Sequence, residues 1–275
     1  MGGGLGVGML FRTLIVSTLF VAGITSFALS SCTTAAFDTP PQSPGNLSYL
    51  DQKAEQGDSN AQFQMGIAYE SGVGIVQNYP EAVRWYRKAA ERGHSGAKNN
   101  LGAMYAKGLG VPQSDSEAMK WYLWAAVEGH PAAENNVGFM YASGHAALGE
   151  GKAPSADPEE ALKWYRKAAA KDYAPAEFNL GMSYFQGVGT AQNLSKALKW
   201  FHRAARHGLV AAENQLGCAY EHGRGVPQDY ETAIKWYQAA AEHGSVEARR
   251  SLDILNAFNA HSRIEPQTPT PEPLH

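Results

Sequence analysis

The stretch Ala212–Gly244, AENQLGCAYEHGRGVPQDYETAIKWYQAAAEHG, decides the fold, because most of the chain before it repeats the same pattern. Moved back by 36 residues, it lays Ala212, Leu216, Gly217, Tyr220, Gly223 and Gly225 over Ala176, Leu180, Gly181, Tyr184, Gly187 and Gly189. Downstream, Trp236, Tyr237, Ala240, Ala241 and Gly244 fall on Trp200, Phe201, Ala204, Ala205 and Gly208. Repetition at this period replaces one globular core with stacked units, each burying its apolar face on its neighbours.

The first alanine of each unit marks the array as Ala61, Ala97, Ala133, Ala176, Ala212 and Ala248, with spacings of 36, 36, 43, 36 and 36. Five repeats then span 61–96, 97–132, 133–175, 176–211 and 212–247, the third lengthened by 7 residues. Capping helices at 47–60 and 248–260 are expected, because an outermost repeat would otherwise expose its apolar face. In the first half of each repeat, Ala, Leu (or Met, Val), Gly and Tyr recur at i, i+4, i+5 and i+8, a helical period. The second half carries Ala, Trp-Tyr and Ala-Ala at matching helical spacing, as in Ala82, Trp85, Tyr86, Ala89 and Ala90. Small residues let the helices approach and the aromatics fill the wedge.

Punctuation agrees with two helices per repeat. Asn78, Ser114, Asp157, Asn193 and Asp229 stand as N-caps four residues before the second-helix alanines. Glu81, Glu117 and Glu160 follow three later, the pattern of a capping box. Gly93, Gly129, Gly208 and Gly244 stop the second helices, with Asp172 a weaker stop in the third repeat.

The LG-x-x-Y, G-x-G-V-P-Q, A-x-x-W-Y and A-A-x-x-G elements are complete in Leu101-Gly102, Tyr105, Gly108 to Gln113, Ala118, Trp121-Tyr122, Ala125-Ala126 and Gly129. With these, residues 54–258 resemble the Sel-one-like repeat (SLR) family, relatives of the tetratricopeptide α-solenoids. The resemblance implies an all-α fold, a right-handed solenoid of stacked antiparallel helix pairs, and a protein-interaction role. Some secreted members staple every repeat with a disulfide; this chain has only Cys32 and Cys218, so packing must hold it. Cys218 aligns with Ile67, Ala103, Phe139 and Met182 and reads as a small apolar residue.

Arg12 is followed by an apolar run, Leu14 to Leu29, too short for a permanent membrane helix. Leu29-Ser30-Ser31-Cys32 resembles the bacterial lipobox, which implies cleavage after a signal peptide at 1–31 and diacylation of Cys32; Thr33 in place of Asp favours the outer membrane by the same resemblance. An ordinary secretory signal is the alternative. Met9 is a second candidate start. Residues 32–46, with Pro40, Pro41 and Pro44, read as a flexible tether, and 261–275, with Pro266, Pro269, Pro271 and Pro273, as a disordered tail.

Lys plus Arg is 23 against 26 for Asp plus Glu, a net charge of −3 that gives no basic stripe for nucleic acid. The Gly-x-Gly pairs follow a helix and lack the third glycine of a nucleotide loop, so they read as turn geometry. Ser95-Gly96-Ala97-Lys98 matches the Ser-x-x-Lys nucleophile motif of penicillin-binding proteins, without its companion motifs. The histidine columns, His94/His130 and His207/His243, sit one helix diameter of about 10 Å apart, too far for a shared ion. No cofactor and no catalytic centre are expected, and the chain is expected to be a monomer.

Partner binding has three candidate locations. An amide precedes every Leu-Gly pair: Gln64, Asn100, Asn136, Asn179 and Gln215. Such a ladder either hydrogen-bonds an extended peptide in the concave groove or caps the neighbouring repeat's own groups, the second being preferred. Phe63 and Phe178 are groove aromatics suited to a peptidoglycan or glycan binder. The lengthened loop of repeat three, ASGHAALGEGKAPSA with His145 and Lys152, is an insertion of the kind that maps to a binding face or is merely tolerated. The preferred function is a lipid-anchored, non-enzymatic adaptor of the bacterial envelope; a cell-wall binder and a penicillin-binding enzyme are the alternatives.

Overall fold

The structure, a computed structural model, describes the backbone of residues 44–146 and 155–262. The expected signal peptide, Cys32, most of the tether, Lys152 and nearly all of the proline-rich tail lie outside the described residues. Among those residues there are twelve α-helices and no strand. They fall into two compact units, the first ending at Ala156 and the second starting at Asp157.

The first unit holds α1 (Pro44–Glu55), α2 (Ser59–Ser71), α3 (Tyr79–Glu91), α4 (Ser95–Lys107), α5 (Asp115–Val127) and α6 (Pro131–Ser143). The second holds α7 (Pro158–Ala169), α8 (Ala174–Gln186), α9 (Leu194–Arg206), α10 (Val210–His222), α11 (Tyr230–Glu242) and α12 (Val246–Ser262). Within each unit every helix packs on the one before and the one after it in sequence. Each unit is thus a stack of antiparallel helix hairpins, the all-α solenoid arrangement. No helix among the described residues is long and apolar enough to cross a membrane.

The hairpins close on the glycine of the Leu-Gly pair. A Cβ at Gly102 would stand 2.7 Å from the Tyr122 ring, and at Gly217 the same distance from Tyr237. Gly66 is covered by Tyr86 and Gly181 by Phe201 in the same way. Only hydrogen on the first helix leaves room for the aromatic of the second, and the flanking alanines 82, 89 and 97 are fully buried where the backbones meet. Around this seat the first unit gathers Phe63, Val83, Leu101 and Met104, and the second Leu198, Ala204, Leu216 and Ala219.

The loop between the two helices is built to a template. The first helix stops on a left-handed glycine, Gly72, Gly108, Gly187 or Gly223, with φ of 74°, 66°, 73° and 65°. Five residues on, a glutamine side chain returns to the end of that helix: Gln77 to the Glu70 carbonyl, Gln113 to Ala106, Gln192 to Phe185 and Gln228 to Glu221, at 2.7 to 3.0 Å. This bond is why the loop motif ends in glutamine. The expected N-caps all form, each accepting from the backbone N–H three residues on.

Two details differ from the sequence pattern. The capping-box glutamates do not fold back; Glu81, Glu117 and Glu160 pair with Arg84, Lys120 and Lys163 one turn along. In the first two cases the N-cap's own N–H is already taken, Asn78 donating to the Tyr69 carbonyl and Ser114 to that of Tyr105. Asp172 does stop α7 in the left-handed region, at φ 58°, where Arg203 Nη2 holds its carboxylate at 2.6 Å and lowers its pKa.

Gly102→Ala tests the seat. Alanine gains about 1 kcal/mol in helix propensity, but overpacking against a fixed ring costs about 1–3 kcal/mol. The variant should therefore unfold at lower urea, whereas the propensity gain alone would raise the midpoint.

Candidate partner-binding surface

The amide column is tied into the scaffold of the first unit. Asn136 Nδ2 donates to Asn99 Oδ1 at 2.9 Å, Asn99 Nδ2 to Asn100 Oδ1 at 3.2 Å, and Asn100 Nδ2 to the Tyr86 hydroxyl at 3.2 Å. Tyr86 in turn donates to the Glu70 carboxylate. One chain of hydrogen bonds thus runs from α2 and α3 through α4 to α6, with Asn99 and Asn136 buried. Buried amides satisfied in this way rigidify a stack, and each would cost about 1–3 kcal/mol if orphaned. In the second unit Asn179 and Gln215 are half-buried.

The other expected contacts are distributed as follows. Phe63 is only 4% exposed, stacked on His94 at 4.2 Å between ring centroids and tilted against Tyr86 at 5.8 Å. Phe178 is half-buried beside Phe201 at 5.6 Å. His145 is exposed, with Nδ1 2.8 Å from Ser143 Oγ. Ser95 opens α4, but the Lys98 amine pairs with Glu128, so the ammonium is committed to an ion pair and not poised beside the serine. Cys218 is half-buried, its thiol pKa raised mainly by burial, with His222 Nδ1 at 3.7 Å.

Lys98–Glu128 belongs to a column that sequence reading missed. A residue in the first turn of the first helix pairs with the residue 30 positions later at the end of the second: Lys98 with Glu128, Glu177 with His207 at 2.8 Å, and Glu213 with His243 at 2.9 Å. The polarity is reversed in repeat two. Glu177 is fully buried and also meets Arg203 Nε at 2.5 Å, while Arg203 Nη2 reaches the Ala169 carbonyl. Asp172, Glu177 and His207 bring ligand-type atoms within 4.8 Å of one another, the one such grouping among the described residues. The Arg203 guanidinium, bound to both carboxylates, makes it an ion-pair lock.

The histidines serve as helix termini. His94 Nδ1 accepts the Ala97 N–H at 3.1 Å, and His130 Nδ1 the Ala133 N–H at 3.3 Å, the positions of N-caps. Only a neutral ring accepts there, and a positive charge opposes the helix dipole. Burial lowers the His94 pKa below the usual 6.5, so its stabilisation is full above that value and is lost as pH falls through the lowered one. The Glu213 carboxylate raises the His243 pKa, so that pair stabilises below 6.5 and weakens as pH rises through the raised value. Acidification should therefore loosen the start of α4 while tightening α10 against α11. Hydrogen exchange followed from about pH 7.5 to 5 reads both, with about 1 kcal/mol at stake at the cap; His94→Asn, which accepts at any pH, should remove the first response and leave the second.

Replacing both Asn100 and Asn136 with Ala should lower the unfolding temperature of the first unit, since the chain from Glu70 to Asn136 loses three of its four links; unchanged stability would return the column to ligand binding.

The Sel1 repeat family model matches residues 59–94, 95–130, 131–173, 174–209 and 210–245. Among solved structures, c5321, a protective antigen present in uropathogenic Escherichia coli strains and displaying an SLR fold, is 35% identical, with a TM-score of 0.66 over 78% of this chain. The match covers 44% of that protein, so this chain spans less than half its length. A Sel1 repeat protein from Oxalobacter formigenes is 32% identical, with a TM-score of 0.65 over 76% of this chain and 80% of that one. Immunity protein Pa5087 from Pseudomonas aeruginosa shares the fold, at 19% identity and a TM-score of 0.52 over 78% of this chain and 80% of that one. Comparison with curated proteins returned no match. Five contiguous repeat matches, two solved relatives above 30% identity and hairpins closed on the Leu-Gly glycine agree: the chain belongs to the Sel1 repeat family.

Proposed function

We propose that this chain is a lipid-anchored, non-enzymatic scaffold of a bacterial envelope, which holds a protein or peptide partner on its repeat array. Sel1 repeat proteins generally act as protein-interaction scaffolds, and the repeat is typically non-catalytic. The observation that carries the reading is how the repeats use their chemistry. Lys98, Glu177, His207, His243, Asn99 and Asn136 are each committed to holding one helix on another, and His94 and His130 to capping the start of their own. What is left for recognition is surface shape and the side chains that vary between copies. The concave groove and the repeat-three loop with His145 and Lys152 are the places proposed for contact.

Export and anchoring rest on Leu29-Ser30-Ser31-Cys32 and the apolar run before it. Two or three acyl chains at Cys32, each methylene worth about 0.8 kcal/mol when buried, would hold the chain to a bilayer without a membrane helix.

Labelling with an alkyne fatty acid in a bacterial host should mark the chain and fail in Cys32→Ser. Photocrosslinkers at Gln215 and at His145 should capture a discrete protein species; turnover of an envelope substrate, abolished by one substitution that leaves the fold intact, would overturn the scaffold reading.

A further inference from the structure

The second helices carry a second column, three residues after each tryptophan. In repeat one Lys88 Nζ lies 4.0 Å from the Trp85 ring centroid, in repeat three Lys167 Nζ lies 3.8 Å from that of Trp164, and in repeat four the Arg203 guanidinium lies 5.3 Å from that of Trp200. A cation over an indole face is a favourable electrostatic contact. Repeats two and five depart from this rule: repeat five has the small Ala239 at the position, whereas repeat two has a second indole. Its residue is Trp124, whose ring meets Trp121 edge-on at 4.8 Å and remains 54% exposed. One turn on, Val127 is 81% exposed, where the corresponding residues of repeats one and five are Glu91 and Glu242.

The missing lysine leaves a carboxylate behind. Lys88 not only covers Trp85 but pairs with Glu55, 33 residues earlier, at 3.3 Å. One repeat further on, those two positions are Trp124 and Glu91. The cations beside Glu91 point elsewhere: Arg87 donates to the Tyr105 hydroxyl, Lys88 holds Glu55, and Arg92 lies over Gly57. On α5 itself Lys120 is paired with Glu117, and Glu128 with Lys98. Trp124 and Glu91 are thus an indole and a carboxylate at the two positions that a lysine bridges in repeat one.

We propose that Trp124 and Val127 of α5 with Glu91 of α3 form a docking point for a lysine or arginine side chain of a protein partner. The partner's cation takes the place of the absent lysine, lying on the indole and pairing with Glu91, while the aliphatic stem and an adjoining apolar residue cover Val127. Exposed tryptophan is the residue type most enriched among interface hot spots, and an isolated apolar patch with a charged rim marks an interaction surface. The inference rests on the protein-binding reading of the repeats and specifies the partner's chemistry.

The test uses the full chain, isotope-labelled, titrated with the blocked peptide acetyl-Ala-Leu-Arg-Leu-Ala-amide and its norleucine counterpart. The arginine peptide should shift the Trp124 indole N–H at millimolar concentration, bind about fivefold to tenfold better than the norleucine peptide, and lose that margin as salt rises. Trp124→Lys, which restores the column's cation in cis, should abolish the arginine preference as read at the Val127 backbone amide, while keeping native hydrogen exchange at α5; Glu91→Gln should weaken arginine binding about threefold. Equal binding of the two peptides, or no shift of Trp124 at about 10 mM, overturns the proposal. If the peptide fails while crosslinkers at Gln215 still capture a partner equally in the wild type and in Trp124→Lys, this site falls and the scaffold reading stands.

Discussion

The structure depends on an aromatic ring resting where a Cβ would be. Tyr86, Tyr122, Phe201 and Tyr237 each lie against a glycine of the preceding helix, so close that no side chain fits between. That approach forces the residues around it to be small, which is why Ala82, Ala89, Ala118, Ala125, Ala197 and Ala204 are fully buried. It also brings the end of one helix to the start of the next, where the N-cap N–H finds the tyrosine carbonyl and the loop glutamine finds the last turn. The hydroxyl follows the same logic. Tyr86 and Tyr237 bond to Glu70 and Glu221, whereas repeat four replaces both partners, with Phe201 facing Phe185.

Once the hairpins are closed, the two units use different polar chemistry. The first unit, which buries one carboxylate in Glu134, adds amides and imidazoles: Asn99, Asn100 and Asn136 in series, with His94 and His130 at helix starts. The second buries the carboxylates of Glu177 and Glu213 and compensates them with Arg203, His207 and His243. A buried carboxylate is tolerated only when paired and hydrogen-bonded. Glu177 meets that condition through a hydrogen bond with His207 and an ion pair with Arg203. The same fold is therefore insensitive to charge at one level, the apolar seat, and tuned by protons at another.

Much of this was legible in the sequence. A 36-residue period, a Gly after Leu and a cap four residues before Ala define the hairpins without any coordinates, because backbone approach and capping leave residue-type signatures. The capping boxes were half right, since a pattern cannot show that the Asn78 N–H already has an acceptor. The amide column was visible as a pattern, but its partners were not: Asn99, adjacent to Asn100, is outside the column and completes the chain. Histidine as an N-cap is uncommon enough that no residue pattern marks His94 and His130 for that role. The 30-residue ion pairs were hidden because repeat two reverses the signs, so that no single residue type marks the column. Trp124 and Ala239 stood in plain view as the two copies that break W-x-x-K/R, yet only the exposure of Trp124 gives its break a meaning.

The reversed pair has a consequence for how a repetitive chain finds its own register. Near-identical helices invite hairpins between the wrong copies, a characteristic failure of repeat proteins during folding. Were α4 to close on α9, Lys98 would meet His207; were α8 to close on α5, Glu177 would meet Glu128. The first mismatch sets like charges together whenever the histidine is protonated, and the second buries two carboxylates side by side. Lys98 and Glu128 therefore act as a key cut in the opposite sense, which tells repeat two from repeats four and five while the chain is still assembling.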